Sequence, residues 1–254
     1  MKDAGKNDAG ERDAGTPGNS EELSASPGLR GSAPVFPASL TDLLAPYTTE
    51  KFLEEDWGRS FQYIPGWKGK LSELFNWSHL NQILNQHRLD PPRLRLAHEG
   101  KAIPPDTYIK YQRSRRRHSS PIPRLLPTQL TEHLHQGATL VLDAVPGLHG
   151  PLTRLAESLE RLFHARIQMN IYAGCQTSHG FDLHWDDHEV LILQTAGRKH
   201  WKVYRPSRLH RVAKDLVENS PPTEEPVWDA ILEDGDVLYI PRGWWHVAIP
   251  LAEP

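Results

Sequence analysis

The sequence predicts an α+β protein with a mainly-β core, in which a helical N-terminal region precedes a sandwich or barrel of short strands. Three observations carry this reading. Apolar residues recur at helical spacing in the first part of the chain, as at Leu152, Leu155, Leu159 and Leu162. From Arg166 onward the texture changes to short alternating or continuous apolar runs. Gly, Pro and Asp turns separate those runs at the close spacing typical of all-β sandwiches and barrels.

Residues 1–36 repeat Asp-Ala-Gly at 3–5, 8–10 and 13–15 and then run through Gly, Ser and Pro. Such a segment has almost no apolar surface to bury, so it is expected to be a disordered tail. Order is expected from Pro37, with residues 37–254 forming one domain: a helical part over 37–165 and a β core over 166–254. Ser39-Leu-Thr-Asp-Leu-Leu reads as a capped short helix. Thr48 to Trp57 reads as a second helix, with Phe52, Leu53 and Trp57 on one side. Phe61-Gln-Tyr-Ile is a strand stopped by Pro65 and Gly66. Ser72 to Asn85 is helical, Leu94-Arg-Leu is a strand, and residues 100–127 are a long proline-punctuated connection. That connection holds Arg113, Arg115, Arg116, Arg117 and His118, a cluster that is a solvated loop unless it meets phosphate or an acidic partner. Thr128 to His135 is a helix, Thr139 to Asp143 a buried strand, and the leucine repeat a helix ending near His164. The later strands are Ile167–Tyr172, Glu189–Gln194, His200–Tyr204, Ile231-Leu232 and Val237–Ile240.

Composition excludes more than it selects. The chain has 254 residues, a net charge of −3 and 24% charged residues. This is ordinary for a soluble protein and gives no call for a nucleic-acid or membrane partner. The lone cysteine, Cys175, cannot form an internal disulfide, which fits a reducing compartment. There is no apolar run of about 18 residues and no apolar leader, so a soluble, cytoplasmic protein is expected.

The sharpest chemical signal is His184-Trp185-Asp186. Residues two apart on an extended strand share a side, so His184 and Asp186 present an imidazole and a carboxylate together. His246 follows a strand and the Pro241-Arg242-Gly243 turn. Two histidines and one carboxylate form the facial triad of non-haem iron(II) oxygenases, which leaves open positions for an α-keto acid and dioxygen. His179, Asp182, Asp187, His188 and Glu189 lie nearby, but a regular strand sends Asp187 and Glu189 to the opposite pleat. Lys199, fifteen residues after His184, offers a cation for the distal carboxylate of an α-keto diacid. Asn170 and Tyr172 point the same way on the preceding strand, to bind a metal-held cosubstrate or, for Tyr172, to pack in the core. Gly235-Asp236 and Pro241-Arg242-Gly243 read as turns that aim His246. Trp185, Trp244 and Trp245 either shape a substrate entrance or pack inside.

At these residues the sequence resembles the JmjC-containing, cupin-like group that includes the ribosomal oxygenases. The resemblance runs through Asn170-Ile-Tyr172, Ser178-His-Gly-Phe181, His184-Trp-Asp-Asp187, Leu193-Gln-Thr-Ala-Gly-Arg-Lys199-His-Trp-Lys-Val-Tyr204 and Asp234-Gly-Asp-Val-Leu-Tyr-Ile-Pro-Arg-Gly-Trp-Trp-His246. Upstream, Phe52–Trp57 and Gly137–Leu142 also match the group's pattern. The resemblance implies a double-stranded β-helix (jelly roll). It implies Fe(II) held by His184, Asp186 and His246, with 2-oxoglutarate as cosubstrate, its distal carboxylate on Lys199 and further contacts from Asn170 and Tyr172. It implies hydroxylation of a side chain in a protein or peptide substrate, an Arg or His of a ribosomal protein among them. The chain ends eight residues after His246. The resemblance therefore implies that a final core strand and the C-terminal dimerisation and winged-helix region are not in this sequence, which leaves a homodimer open. The residues alone also admit a zinc or manganese cupin isomerase or hydrolase, and a non-catalytic binding module.

Overall fold

A computed structural model describes residues 37–112, 121–174, 182–207, 221–249 and 251. The low-complexity segment 1–36, the Arg113–Arg117 cluster with His118, Cys175 and the Ser178–Phe181 motif lie outside the described residues.

Helix α1 (Leu40–Leu44) starts at Ser39, whose side chain accepts from the Asp42 amide while the Asp42 carboxylate accepts from the Ser39 amide. This reciprocal pairing satisfies two of the first-turn donors that a helix leaves open. At its other end, Lys70 Nζ donates to the carbonyls of Leu43 at 2.6 Å and Ala45 at 2.7 Å. Helix α2 (Thr49–Lys51) runs on as a π-helical segment, Phe52–Asp56. Strand β1 (Gln62–Ile64) follows. Helix α3 spans Trp77–Gln86 rather than beginning at Ser72. Residues 68–74 are successive turns, and Asn76, extended, accepts from the His79 amide as the true N-cap.

Residues 100–112 and 121–127 hold regular structure where the sequence predicts a connecting loop. After β2 (Leu94–His98) come β3 (Lys101–Ala102) and a 3-10 turn. A ladder of β4 (Ile109–Gln112) with β5 (Ile122–Leu125) follows. Helix α4 (Pro127–His135) and β6 (Thr139–Leu142) come next. Helix α5 (Gly150–Phe163) buries Leu152, Leu155 and Leu159 and leaves Leu162 exposed; His164, in the left-handed region at φ 48°, ends it. The strand predicted over 167–172 is shorter, β7 (Ile171–Ala173). β6 ends at Leu142, opposite Ile171, so residues 167–170 run beyond its ladder.

The remaining strands are β8 (His184–Trp185), β9 (Val190–Leu193), β10 (Lys199–Tyr204), β11 (Trp228–Leu232), β12 (Val237–Ile240) and β13 (Trp245–Ile249). Among the described residues all ladders are antiparallel. One sheet has the order β1-β12-β9 and a second β11-β10-β13-β8, while β3-β2-β6-β7 forms a third. The first two sheets face each other across Val203, Leu232, Leu238, Ile240 and Trp244. The other pleat of β12, through Val237 and Tyr239, joins the larger core shared with α1, α3, α5 and β6. β12 is therefore buried on both faces, which is why its sequence reads Val-Leu-Tyr-Ile without a polar residue. Each fully buried Leu, Ile or Phe there contributes ~1.5–3 kcal/mol relative to exposure. Trp57 bridges the regions, stacked 4.1 Å from Phe163 and 5.5 Å from Tyr239. Among the described residues no helix is long and apolar enough to cross a membrane.

Candidate metal centre

β8 pairs with β13 so that His184 stands directly opposite His246 and Trp185 opposite Trp245. The alternation of a strand then decides the rest. The two imidazoles share the inner face with rings 4.4 Å apart, while Trp185 and Trp245 are buried on the other face. Asp186, just past β8, returns its carboxylate to the inner side, with Oδ2 3.4 Å from His246 Nε2. Its own carbonyl accepts from the Gly243 amide at 2.8 Å. This ties the Pro241-Arg242-Gly243 turn to the end of β8, and Gly243 takes the positive φ (83°) that the turn requires. One ligand atom from each of His184, Asp186 and His246 lies within 4.8 Å of the others.

Both histidines are oriented from behind. His184 Nδ1 lies 2.7 Å from the Asp182 carbonyl, and His246 Nδ1 lies 3.1 Å from the Trp244 carbonyl. A carbonyl can only accept, so each Nδ1 carries a proton and each Nε2 is turned toward the centre. Carbonyl-held imidazoles of this kind are typical of metal ligands. Burial, then the neighbouring His246, lowers the pKa of His184 and keeps it neutral. Burial alone would raise the Asp186 carboxyl, but its hydrogen bond to His246 and the nearby imidazoles outweigh it, and the net shift is downward. The donor set is thus two imidazoles and one carboxylate, a combination that suits Fe(II) and other divalent transition metals.

The neighbouring acids have other partners. Asp187 pairs with His188 at 3.2 Å, and Glu189 accepts from the Tyr239 hydroxyl and the Arg242 amide. His179 lies outside the described residues. Lys199 opens β10, on the face that carries Val203 opposite His246. It is partly buried, burial lowers its pKa, and no described carboxylate pairs with it. Asn170 lies just before β7 and hydrogen-bonds the Tyr172 side chain, while its Oδ1 accepts from the Ala144 amide at 3.1 Å. Tyr172 is 48% exposed, yet burial is the main cause raising its pKa. The two fit together if the ring edge faces outward while the hydroxyl sits inside, within electrostatic reach of Asp143, Arg95 and Asp186. The structure therefore brings His184, Asp186 and His246 together and sets Lys199 on the same inner face. Trp185, Trp244 and Trp245 are all buried and act in packing. Two features escaped sequence reasoning: the Arg95–Asp143 ion pair near Tyr172, and Trp201, whose ring lies 6.2 Å from that of His246. The period-two run Lys199-His-Trp201 held the signal for the second. A separate cleft of about 580 Å³, lined by Tyr63, Trp67, Lys68, Arg198 and Asp234 among others, contains none of the three candidate ligands.

Residues 149–253 match the JmjC domain family. The chain carries a JmjC domain. Over 226 residues it is 30% identical to the bifunctional lysine-specific demethylase and histidyl-hydroxylase NO66 of Drosophila persimilis, a match covering 83% of this chain and 29% of that protein. The NO66 protein of Dictyostelium discoideum is 28% identical over 214 residues, covering 83% of this chain and 40% of that one. The chain thus spans less than a third of the Drosophila persimilis relative. Among solved structures, Escherichia coli YcfD superposes with a TM-score of 0.53 at 22% identity, covering 80% of this chain and 49% of YcfD. A second YcfD structure, described as a ribosomal oxygenase in complex with cobalt and 2-oxoglutarate, gives a TM-score of 0.51 at 22% identity and covers 80% of this chain and 48% of that one. The JmjC domain accordingly has the jelly-roll fold that the sequence predicts.

Proposed function

We propose that this JmjC domain is an iron(II)- and 2-oxoglutarate-dependent oxygenase that hydroxylates a side chain of a protein substrate. The convergence of His184, Asp186 and His246 within 4.8 Å, with both imidazoles turned by backbone carbonyls, carries the reading. These three residues would hold the metal. Lys199 would pair with the distal carboxylate of 2-oxoglutarate, and Asn170 with Tyr172 would hydrogen-bond the same molecule. The names of the relatives support it: a histidyl-hydroxylase and demethylase, and a ribosomal oxygenase whose structure was described with cobalt and 2-oxoglutarate.

When bound, iron(II) with 2-oxoglutarate and dioxygen supplies the oxidising power to place one oxygen atom in an unactivated C–H bond, with succinate and carbon dioxide as coproducts. The chain's own work is geometric and electrostatic. The antiparallel pair β8–β13 fixes both imidazoles on one face, and the Gly243–Asp186 hydrogen bond holds the carboxylate beside them. Burial keeps His184 neutral, as a ligand must be. Lys199, with no described acidic partner, would pair with an incoming anion. Tyr172, half exposed, marks the side from which a peptide side chain reaches the centre.

His184→Ala is the direct test. The variant is expected to retain its circular dichroism but lose stoichiometric iron(II) and 2-oxoglutarate-dependent succinate release. Iron retained at one equivalent would refute the ligand assignment. The substrate is to be sought by mass spectrometry of cell extract treated with iron(II), 2-oxoglutarate and the protein, as a gain of one oxygen on a defined residue.

A further inference from the structure

The third sheet carries a row of side chains beside the candidate metal centre. Arg95 on β2, Val141 on β6 and Tyr172 on β7 stand directly opposite one another, so all three leave the same face. Asp143, just past the end of β6, forms an ion pair with Arg95. Val141 is fully buried, while Arg95 and Tyr172 stay partly exposed. The Tyr172 hydroxyl lies within electrostatic reach of Arg95, Asp143 and the candidate ligand Asp186. The ion pair therefore borders the side from which a substrate would approach.

The backbone around this pair is tightly framed. The Asp143 amide donates to the Arg93 carbonyl at 2.9 Å, and Arg93 Nη2 donates to the Ala144 carbonyl at 2.7 Å. Ala144 has φ 51°, in the left-handed region that residues with a Cβ rarely enter, and its amide donates to Asn170 Oδ1 at 3.1 Å. Strained backbone of this kind persists only where its surroundings over-determine it, and it clusters at ligand-binding sites. An ion pair kept at a surface for stability contributes little and needs no such frame. Arg95 and Asp143 are 39% and 22% exposed, so both can be reached from outside. Arg95 bonds Asp143 Oδ2 and the Pro92 carbonyl through a single nitrogen, Nη1. Among the described residues this leaves Arg95 Nε and Nη2 to donate and Asp143 Oδ1 to accept.

We propose that the Arg95–Asp143 pair holds the main chain of the peptide substrate, donating to one of its carbonyls and accepting from one of its amides beside the residue presented to the metal centre. The inference rests on the oxygenase reading and adds two substrate-binding residues to it. A peptide unit offers one donor and one acceptor, and a guanidinium beside a carboxylate offers the complementary two. A charged side chain would meet one attractive and one repulsive group there, whereas the neutral main chain is favoured by both. The pair thus fixes where the chain lies and leaves the flanking sequence unread. It requires an extended segment, since the amides and carbonyls inside a helix already have partners. Both residues precede residue 149, outside the stretch that matches the JmjC family.

The test uses the full chain and two degenerate heptapeptide libraries, one centred on His and one on Arg, with hydroxylation read by mass as a gain of one oxygen. Arg95→Met should weaken the best library member about tenfold, the loss of one hydrogen bond to a charged group. The loss should appear in KM with iron(II), and in Kd by calorimetry on the manganese(II)-loaded protein, with kcat little changed. The Kd for 2-oxoglutarate should not move. An unchanged peptide Kd overturns the proposal. So does an equal loss for peptide and 2-oxoglutarate, because a pair that merely propped Asn170 and Tyr172 would affect both. If Arg95→Met does not fold, an N-methyl scan of the same peptide on the unmutated protein decides. One amide flanking the target residue should cost about tenfold in Kd when methylated, and a flat scan overturns the proposal. If the unmutated protein releases no succinate from 2-oxoglutarate, with or without peptide, the oxygenase reading fails and takes this inference with it. If it releases succinate while neither library gains oxygen, this inference alone fails.

Discussion

Replacing Asp236 with alanine removes the acceptor on which the start of β12 is hung. The carboxylate is 5% exposed and takes three donors: the Gly66 amide at 2.7 Å on Oδ1, and the Tyr63 hydroxyl at 3.1 Å and Glu233 amide at 2.9 Å on Oδ2. Hydrogen bonds to a charged acceptor contribute ~1.5–3 kcal/mol each, and an orphaned donor costs ~1–3 kcal/mol. All three donors are part-buried, and some reach water once the carboxylate is gone, so the low end applies. Asp236→Ala should cost about 3–5 kcal/mol, a shift in Tm on the order of 10 °C for a chain of this size. Asp236→Asn keeps one acceptor and turns an NH₂ toward donors on the other side, so it should recover no more than about half of that. Urea unfolding measures the stability, and an ultraviolet pH titration reads the contact itself. Burial and then the Asp236 carboxylate push the Tyr63 hydroxyl up to about 12. In Asp236→Ala the second cause disappears, so Tyr63 should ionise at lower pH, still above 10.0 because it stays buried. A loss below ~1 kcal/mol, or a Tyr63 titration that does not move, would refute the claim that this carboxylate fixes the turn before β12.

Three further outcomes are expected. Tyr239→Phe deletes the hydroxyl that accepts from the Gly58 amide at 2.7 Å and donates to Glu189, and should destabilise by ~2–4 kcal/mol in urea unfolding; a neutral variant would contradict the contact. Burial, then His79, lowers the pKa of His149, with Arg154 adding to the shift against the Leu74 carbonyl. Its folded pKa is thus below the unfolded 6.5: both states are neutral above 6.5, and as pH falls the unfolded chain takes the proton first. Stability should therefore drain between 6.5 and the lowered folded pKa, and His149→Gln should flatten that slope; parallel urea midpoints for the two proteins across that window would count against it. Burial lowers the Lys199 pKa from 10.5, so 2-oxoglutarate affinity should begin to fall at a pH below 10.5. Lys199→Arg, charged throughout, should abolish that fall; a wild-type affinity constant up to pH 10.5 would mean another cation holds the carboxylate.

What could be read from the sequence followed from periodicity and capping. A Ser39 or Thr41 cap announced α1, the leucine repeat announced α5, and Val237–Ile240 was legible as a strand because both of its faces are buried. The candidate ligands were legible because the strand period sets His184 and Asp186 on one side. What escaped depended on distant partners. The helix begins at Asn76 rather than Ser72, where the Ser72 hydroxyl bonds the Gly69 carbonyl and Lys70 is drawn to the end of α1. The strand after Arg166 was read too long because its extent depends on where β6 stops. The β4–β5 ladder was hidden by Pro123, which pairs with Tyr111 in a two-stranded ladder where the missing donor costs little.

Strand β1 has a practical consequence for anyone who would cut this protein down. The family match begins at residue 149, yet Gln62–Ile64 forms one border of the sheet whose middle strand is Val237–Ile240. A fragment beginning at 149 would leave that middle strand with bare amides and carbonyls along one side, and Tyr239 without the rings of Phe52 and Trp57. Such a fragment should aggregate rather than fold, because what evolves as a recognisable segment and what holds itself together in water are here two different lengths of chain.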